Sequence, residues 1–292
     1  MTDPAPGTAP RANRRLRLAR FVSRRRGAVI GAVMVLVIVV VAIIAPWVAP
    51  KSPNLLDVAN RLQPPSVSAL FGTDDMGRDI FSRVVFGARV SLLVGFSVSI
   101  ACLLVGGLFG LLAGFYRPLD GVLMRIMDGF MSFPNIVLAI LLMATLGASL
   151  QNIIIALSIT YMPRMARVVR SVVLQVRELA YVEAAAALGA RDVRVMTFHV
   201  VPNAMSPIIV QWTFIFAYAI LGEASLSFLG VGVPPDVPTW GTILSEGRVY
   251  IQRAAWMTVL PGLAILWTVL GLNLLGDGIR DMLDPHLRGV NS

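Results

Sequence analysis

Long apolar stretches without charge recur along this chain, and short charged or proline-containing segments separate them. A bilayer core of about 30 Å takes roughly 20 apolar residues as helix. Backbone polar groups find no water in lipid, so a span is a helix or part of a closed barrel. No alternating ten-residue strand pattern is present, so the stretches predict helices. The first lies between Arg26 and Lys51, with a Val- and Ile-dense core at Ala28–Val48. It exceeds the roughly 7–15 apolar residues of a signal peptide and lacks a small-x-small cleavage site, so it predicts a retained helix. The second lies between Arg89 and Arg117. The third runs from after Asp128 to before Arg164. At 1.5 Å per residue it is about 50 Å long, too long for one crossing. Its polar break Gly147-Ala148-Ser149-Leu150-Gln151-Asn152 divides it into two helices joined by a tight turn. The next extends from His199 through Glu223 to Gly230, and the last lies between Arg253 and Asp277.

The pattern therefore predicts an all-α, polytopic membrane protein with six transmembrane helices. An even number of crossings puts both termini on one side. Eight arginines between Arg11 and Arg26 precede the first stretch and mark that side as cytoplasmic. The segments that then fall inside hold 18 of the 25 Lys and Arg residues, including Arg117, Arg125, Arg164, Arg167, Arg170, Arg177, Arg191 and Arg194; the outer loops hold seven. This asymmetry agrees with the positive-inside rule. Residues 1–26 predict a cytoplasmic tail, partly disordered in its Pro-, Ala- and Thr-rich start, and 27–290 a six-helix transmembrane domain.

Composition agrees. Charged residues make up 14% and apolar residues 57%, against about 25% charged in a soluble domain. The net charge of +9 sits on membrane flanks, so it points to the lipid surface and away from nucleic acid. The single cysteine, Cys102, excludes an intrachain disulfide and a Cys-based metal site.

The longest inner segment, about 171–203, contains Glu183-Ala184-Ala185-Ala186-Ala187-Leu188, a run of strong helix formers. Gly189 follows where a helix ends in a left-handed residue. A second helical stretch, Ala190–Val200, is expected to stop at Pro202. Consecutive alanines give the first helix a thin face suited to a groove on another protein; an amphipathic connector resting on the membrane is the alternative.

Glu183-Ala-Ala-x-x-x-Gly189, followed by His199-x-x-Pro202-Asn203, resembles the "EAA" loop of binding-protein-dependent ABC importer permeases. Two further blocks, Phe71-Gly-Thr-Asp-Asp-Met-Gly-Arg-Asp-Ile-Phe-Ser-Arg83 and Gly222-Glu-Ala-Ser-Leu-Ser-Phe-Leu-Gly-Val-Gly232, are similar to the dipeptide, oligopeptide and nickel branch, as its C-type subunit. The resemblance spans about residues 25–288. It implies a cytoplasmic coupling helix between helices 4 and 5, with Glu183, Ala184, Ala185 and Gly189 at the contact with an ATPase. It also implies a paralogous permease forming a heterodimer, two cytoplasmic ATPases that bind the ATP and Mg, and an extracytoplasmic substrate-binding protein. No cofactor is expected in this chain, which lacks a Gly-x-x-x-x-Gly-Lys phosphate loop. The location implied is the bacterial inner membrane.

Other residues carry two readings each. Glu223, a carboxylate near a span, is either a substrate-pathway or subunit-interface residue or a side chain bonded to loop backbone. Asp74, Asp75, Arg78 and Asp79, with Arg83, form either a loop facing the binding protein or a solvated, internally paired turn. Pro134 kinks a helix statically or during gating. His199 reads as a hydrogen-bonding group ahead of a ligand. Gly106, Gly107, Gly110 and Gly114 predict a face for close helix packing. The function expected is the pore of an ATP-driven importer for di- or oligopeptides, with nickel, glutathione or another small solute as the alternative cargo. A membrane enzyme lacks a nucleophile–base pair or paired aspartates within spans. A proton-coupled transporter would need more intramembrane ionisable groups than Glu223.

Overall fold

The computed structural model describes residues 26–283. The predicted tail therefore lies outside the described residues, apart from Arg26. Among the described residues the regular structure is helical: α1 (Arg26–Val48), α2 (Ile80–Phe115), α3 (Arg117–Met131), α4 (Asn135–Leu146), α5 (Leu150–Arg177), α6 (Ala180–Ala187), α7 (Asp192–Phe228), α8 (Trp240–Gly247) and α9 (Trp256–Leu283). Helices α1, α2, α7 and α9 are each long and apolar enough to cross a membrane, and α3 with α4 passes that test as a pair. The protein is thus all-α and multi-pass. Leu36, Ile43, Leu93, Leu104 and Leu266 stand outward, each more than half exposed. In water such a surface would aggregate; in lipid it is the solvated face.

Helix α7 is apolar all round because it packs on both sides. Ile215 and Ala219 enter a core with Val94 and Val98 of α2 and Ile153, Leu157 and Met165 of α5. Ala217 and Ile220 enter a second core with Ile80, Trp240, Met257 and Leu272. Small residues set the tightest contacts. A Cβ on Gly106 would stand 2.7 Å from Met162 O, and one on Gly114 would stand 2.7 Å from Val173 Cβ. Gly106, Gly110 and Gly114 thus form the predicted close face of α2, against α5; Gly107 points into open space and takes no part. A second such seam was not anticipated. Gly31 of α1 meets α9 so closely that a Cβ would stand 2.7 Å from Gly271 O, and Trp267 Nε1 donates to Met34 O at 3.1 Å.

Three expectations change. The stretch after Asp128 does not form one helix into the membrane: α3 and α4 meet at 89° across Ser132-Phe133-Pro134. Pro134 occupies the N-cap of α4 with φ −55° and ψ 133°, and the residue ahead of a proline is pushed out of the helical region. The predicted kink is therefore a break. Next, α5 does not end before Arg164 but continues to Arg177. Finally, the helix after Gly189 begins at Asp192 and runs through Pro202 to Phe228. A π turn at Met196–Val200 ends two residues ahead of that proline. This wider turn reroutes the hydrogen bonds where Pro202 has no N–H to give.

Candidate functional site

The hairpin between α5 and α7 is built by local chemistry. Helix α6 ends in a Schellman arrangement: Ala190 N–H donates to Ala185 O at 3.1 Å and Gly189 N–H to Ala186 O at 2.9 Å. This requires a left-handed residue, and Gly189 has φ +83°. A side chain there would strain the backbone by about 1 kcal/mol. Asp192 opens α7, where a negative charge suits the helix N-terminus. Val182, Val195 and Val200 are buried and anchor the hairpin. Glu183, Ala184 and Gly189 are exposed and Ala185 is half-buried. Leu188 is 89% exposed and Phe198 72%, so the tip is apolar without being covered. The ring of His199 lies 6.2 Å from that of Tyr181, while Asn203 Nδ2 donates to the His199 carbonyl at 2.7 Å.

The hairpin is fastened to α2. Arg177 Nη1 donates to Gly114 O at 2.9 Å and Phe115 O at 3.2 Å, placing a cation on the open carbonyls of the α2 C-terminus. Beside it, Arg170 grips Asp120 of α3 with two bonds, and Arg167 bonds Asp128 at 2.6 Å. The segments around 117–128 and 163–203, both assigned to one side by the charge pattern, thus meet at one end.

The opposite end of α2 carries a buried charge quartet. Arg78 Nε bonds Asp74 Oδ2 at 2.5 Å and its Nη2 bonds Glu246 Oε2 at 2.9 Å. Arg83 reaches Asp74 at 3.3 Å and Glu246 at 3.0 Å. Two cations face two anions, so the group is internally neutral, as a buried group of charges needs to be. Burial pushes the Glu246 carboxyl above the ordinary carboxylate range, against the pull of Arg83 and Arg78. Asp79 caps α2, accepting from Ser82 N at 2.8 Å and Ser82 Oγ at 2.7 Å. Asp74, Arg78 and Asp79 are therefore buried, where a solvated turn had been one reading; Asp75 is half-buried and stands outside the quartet. Glu246 was missed. No sequence signal pointed to it: residues 74–83 already hold three acids for two arginines, and only the packing of α8 brings Glu246 to Arg78 and Arg83.

Glu223 forms a separate node. It is fully buried in α7 and accepts from Ser227 Oγ at 2.9 Å and Ser91 Oγ of α2 at 3.4 Å. Ser91 Oγ in turn accepts from Trp240 N at 3.3 Å, and Trp240 Nε1 donates to Val84 O at 3.0 Å. The partners of the carboxylate are serine hydroxyls of two helices, in place of the loop backbone. Helix α8 comes this close because Gly241 lacks a side chain: a Cβ would stand 2.7 Å from Ala224 Cα. Glu223 thus ties α2, α7 and α8 together.

These features define a polytopic, all-helical membrane protein. Its α2 rod links an exposed helical hairpin at one end to a buried polar lock at the other. Comparison with known proteins narrows this further. Residues 106–289 match the family described as the inner membrane component of binding-protein-dependent transport systems, and the chain belongs to that family. Residues 16–65 match the N-terminal transmembrane domain of oligopeptide transport permease C. A putative peptide transport system permease protein of Brucella suis is 48% identical over 270 residues, 92% of this chain and 91% of its own. A dipeptide transport system permease protein of Alkalihalophilus pseudofirmus is 44% identical over 262 residues, covering 89% and 86%. Among solved structures, the MetNI methionine ABC transporter in an inward-facing form superposes with a TM-score of 0.61 at 21% identity, over 70% of this chain and 98% of that one. At that identity the likeness speaks to the fold alone.

Proposed function

We propose that this chain is the membrane pore subunit of an ATP-driven importer of di- or oligopeptides in a bacterial inner membrane. The observation that carries the reading is its alignment, at 44–48% identity over about nine-tenths of its length, with relatives named as peptide or dipeptide transport permeases. A paralogous permease completes the pore, two cytoplasmic ATPases supply ATP hydrolysis with their own Mg, and an external binding protein delivers cargo. This subunit catalyses no chemistry in the reading.

Six crossings fit the helices: α1, α2, α4, α5, α7 and α9. Helix α4 is about 18 Å long, and the two-residue Phe133–Pro134 lead, in which Pro134 is extended, brings the third crossing to roughly 25 Å. Both termini then lie in the cytoplasm, with the α6 hairpin. In this reading α6 is the coupling helix. Glu183 offers a carboxylate to the ATPase surface, Ala184 and Ala185 allow close approach, and Gly189 sets the turn. Closure of the ATPases moves α6 as a rigid body. Arg177 passes that motion to the end of α2, and α2 carries it to the quartet and to Glu223 at the outer side. Glu223 sits in a contact among helices that must tilt, which suits an interface or pathway role. The Asp74–Asp79 loop, rigidified by the quartet, is the surface offered to the binding protein, with Asp75 its more accessible acid.

The test is reconstitution of the complex in proteoliposomes with measurement of ATP-dependent dipeptide uptake. Ala185→Trp and Gly189→Val are expected to leave the chain in the membrane, preserve ATPase turnover and cut uptake at least tenfold. Uptake that survives ATP depletion and collapses with a protonophore would sink the reading.

A further inference from the structure

Helix α3 has a role that the transport reading leaves unused. Its sequence divides into arcs. Leu119, Val122 and Ile126, at i, i+3 and i+7, share one face and are 42%, 62% and 49% exposed. Arg117, Gly121, Arg125 and Asp128, at i, i+4, i+8 and i+11, share the opposite, polar face. Met127, between them, is buried.

Two ion pairs give the direction of the helix. Asp120 binds Arg170, and Asp128 binds Arg167. The acids are eight residues apart, about 12 Å along α3, while the arginines are three apart, about 4.5 Å along α5. Helix α3 therefore crosses α5 steeply, consistent with its 89° angle to α4. The level of crossing follows from the same geometry. Helix α5 starts at Leu150 after the turn at Gly147, and Arg167 and Arg170 come 17 to 20 residues later. That distance is about 26–30 Å, the thickness of the hydrocarbon core. A helix lying across α5 there runs in the plane of the membrane at its inner boundary.

Charge adds the occupant. Asp120 and Asp128 are neutralised by α5, whereas Arg117 and Arg125 make no ion pair among the described residues. Pro118, Gly121, Val122, Arg125 and Ile126 line a shallow recess of about 430 Å³ at the border of the polar and apolar arcs. Its Gly121 floor is open, with nothing within 4 Å of a Cβ built there. One side of the recess is a guanidinium and the other is aliphatic, which matches the junction of a lipid phosphate with its acyl chains.

We infer that α3 is an interfacial helix that seats anionic phospholipid of the inner leaflet, with Arg125 and Arg117 on the phosphates and Leu119, Val122 and Ile126 in the acyl region. It is both a lipid-binding site and a float that fixes the height of α5 and the hairpin.

The test uses the assembled transporter in vesicles of phosphatidylethanolamine with about one-third phosphatidylglycerol. Spin labels on Val122→Cys and Ile126→Cys are expected to collide with dissolved oxygen more than with an aqueous nickel chelate, and a label on Asp128→Cys the reverse. Native mass spectrometry is expected to show retained phosphatidylglycerol. Each lost charge should weaken retention about fivefold, so R117Q/R125Q weakens it some twenty- to thirtyfold while R125K keeps most of it. Labels at 122 and 126 shielded from both reagents would mean that the second permease covers the arc, and would overturn the inference. Labels open to the chelate, or phosphatidylglycerol retention unchanged in R117Q/R125Q, would overturn it as well.

Discussion

Replacing Glu246 by glutamine tests the buried quartet most directly. In the native protein Arg78 and Arg83 share Asp74 and Glu246, with Arg83 fully buried and the Glu246 side chain 19% exposed. Glu246→Gln keeps the shape and removes one of two anions, leaving two buried cations on Asp74 alone. Removing one partner of a fully buried pair costs about 3–5 kcal/mol. The partial exposure of Glu246 lets water recover some of this, so about 2–3 kcal/mol is expected. Unfolding temperatures in chains approaching this size shift by about 2–4 °C per kcal/mol, so the purified protein should lose roughly 5 °C or more. Asp236→Asn, an exposed acid in the segment between α7 and α8, should stay within about 0.5 kcal/mol. The decisive readout is the double variant Glu246→Gln/Arg83→Gln. If the two groups interact as the distances state, the double loss should fall short of the sum of the singles by about 1 kcal/mol or more. Strict additivity, or a single-variant loss no larger than that of Asp236→Asn, would refute the assignment of Glu246 to the quartet.

Gly110→Val should separate α2 from α5, because its Cβ would meet Val169 Cβ at 2.7 Å; overpacking of this kind costs about 1–3 kcal/mol, read as a lower unfolding temperature, whereas Gly107→Val should cost far less. Arg177→Gln should uncap α2 and free the hairpin, lowering stability by about 1 kcal/mol and raising hydrogen exchange at Leu112–Phe115 and at α6; unchanged exchange at α6 would show that the fastening is not mechanical. Glu223→Ala should strand the Ser91 and Ser227 hydroxyls and cost about 1–3 kcal/mol, while Glu223→Gln, which still accepts, should cost less; equal losses would argue that the hydrogen bonds do not matter.

The sequence by itself determined the solvent and the helices. Uninterrupted apolar stretches of about 20 residues admit only one structure in lipid, since every backbone group must bond within its own segment. The bounds of α1 could therefore be read within a few residues, whereas α2 begins nine residues before Arg89, α7 seven before His199, and α9 runs six past Asp277, because charged residues end an apolar stretch without ending a helix. The hairpin was legible too, because a Schellman end with glycine is a local rule that acts within six residues. So was the Gly106, Gly110 and Gly114 face, since spacing alone aligns it. The third span was misread for a physical reason: apolar content reports tolerance of lipid and says nothing about direction, and Pro134 decides direction by steric exclusion that needed the neighbouring α5 to show which way the chain turns. Only the tertiary structure decided the polar pairings. Glu246 lies 163 residues from Arg83 and 168 from Arg78, and Ser91 lies 132 from Glu223, so no periodicity links them. Burial without a partner would have excluded each of these groups from the interior. The fold admits them because α2, α7 and α8 converge where small residues permit it, and that convergence is a property of the packed helices.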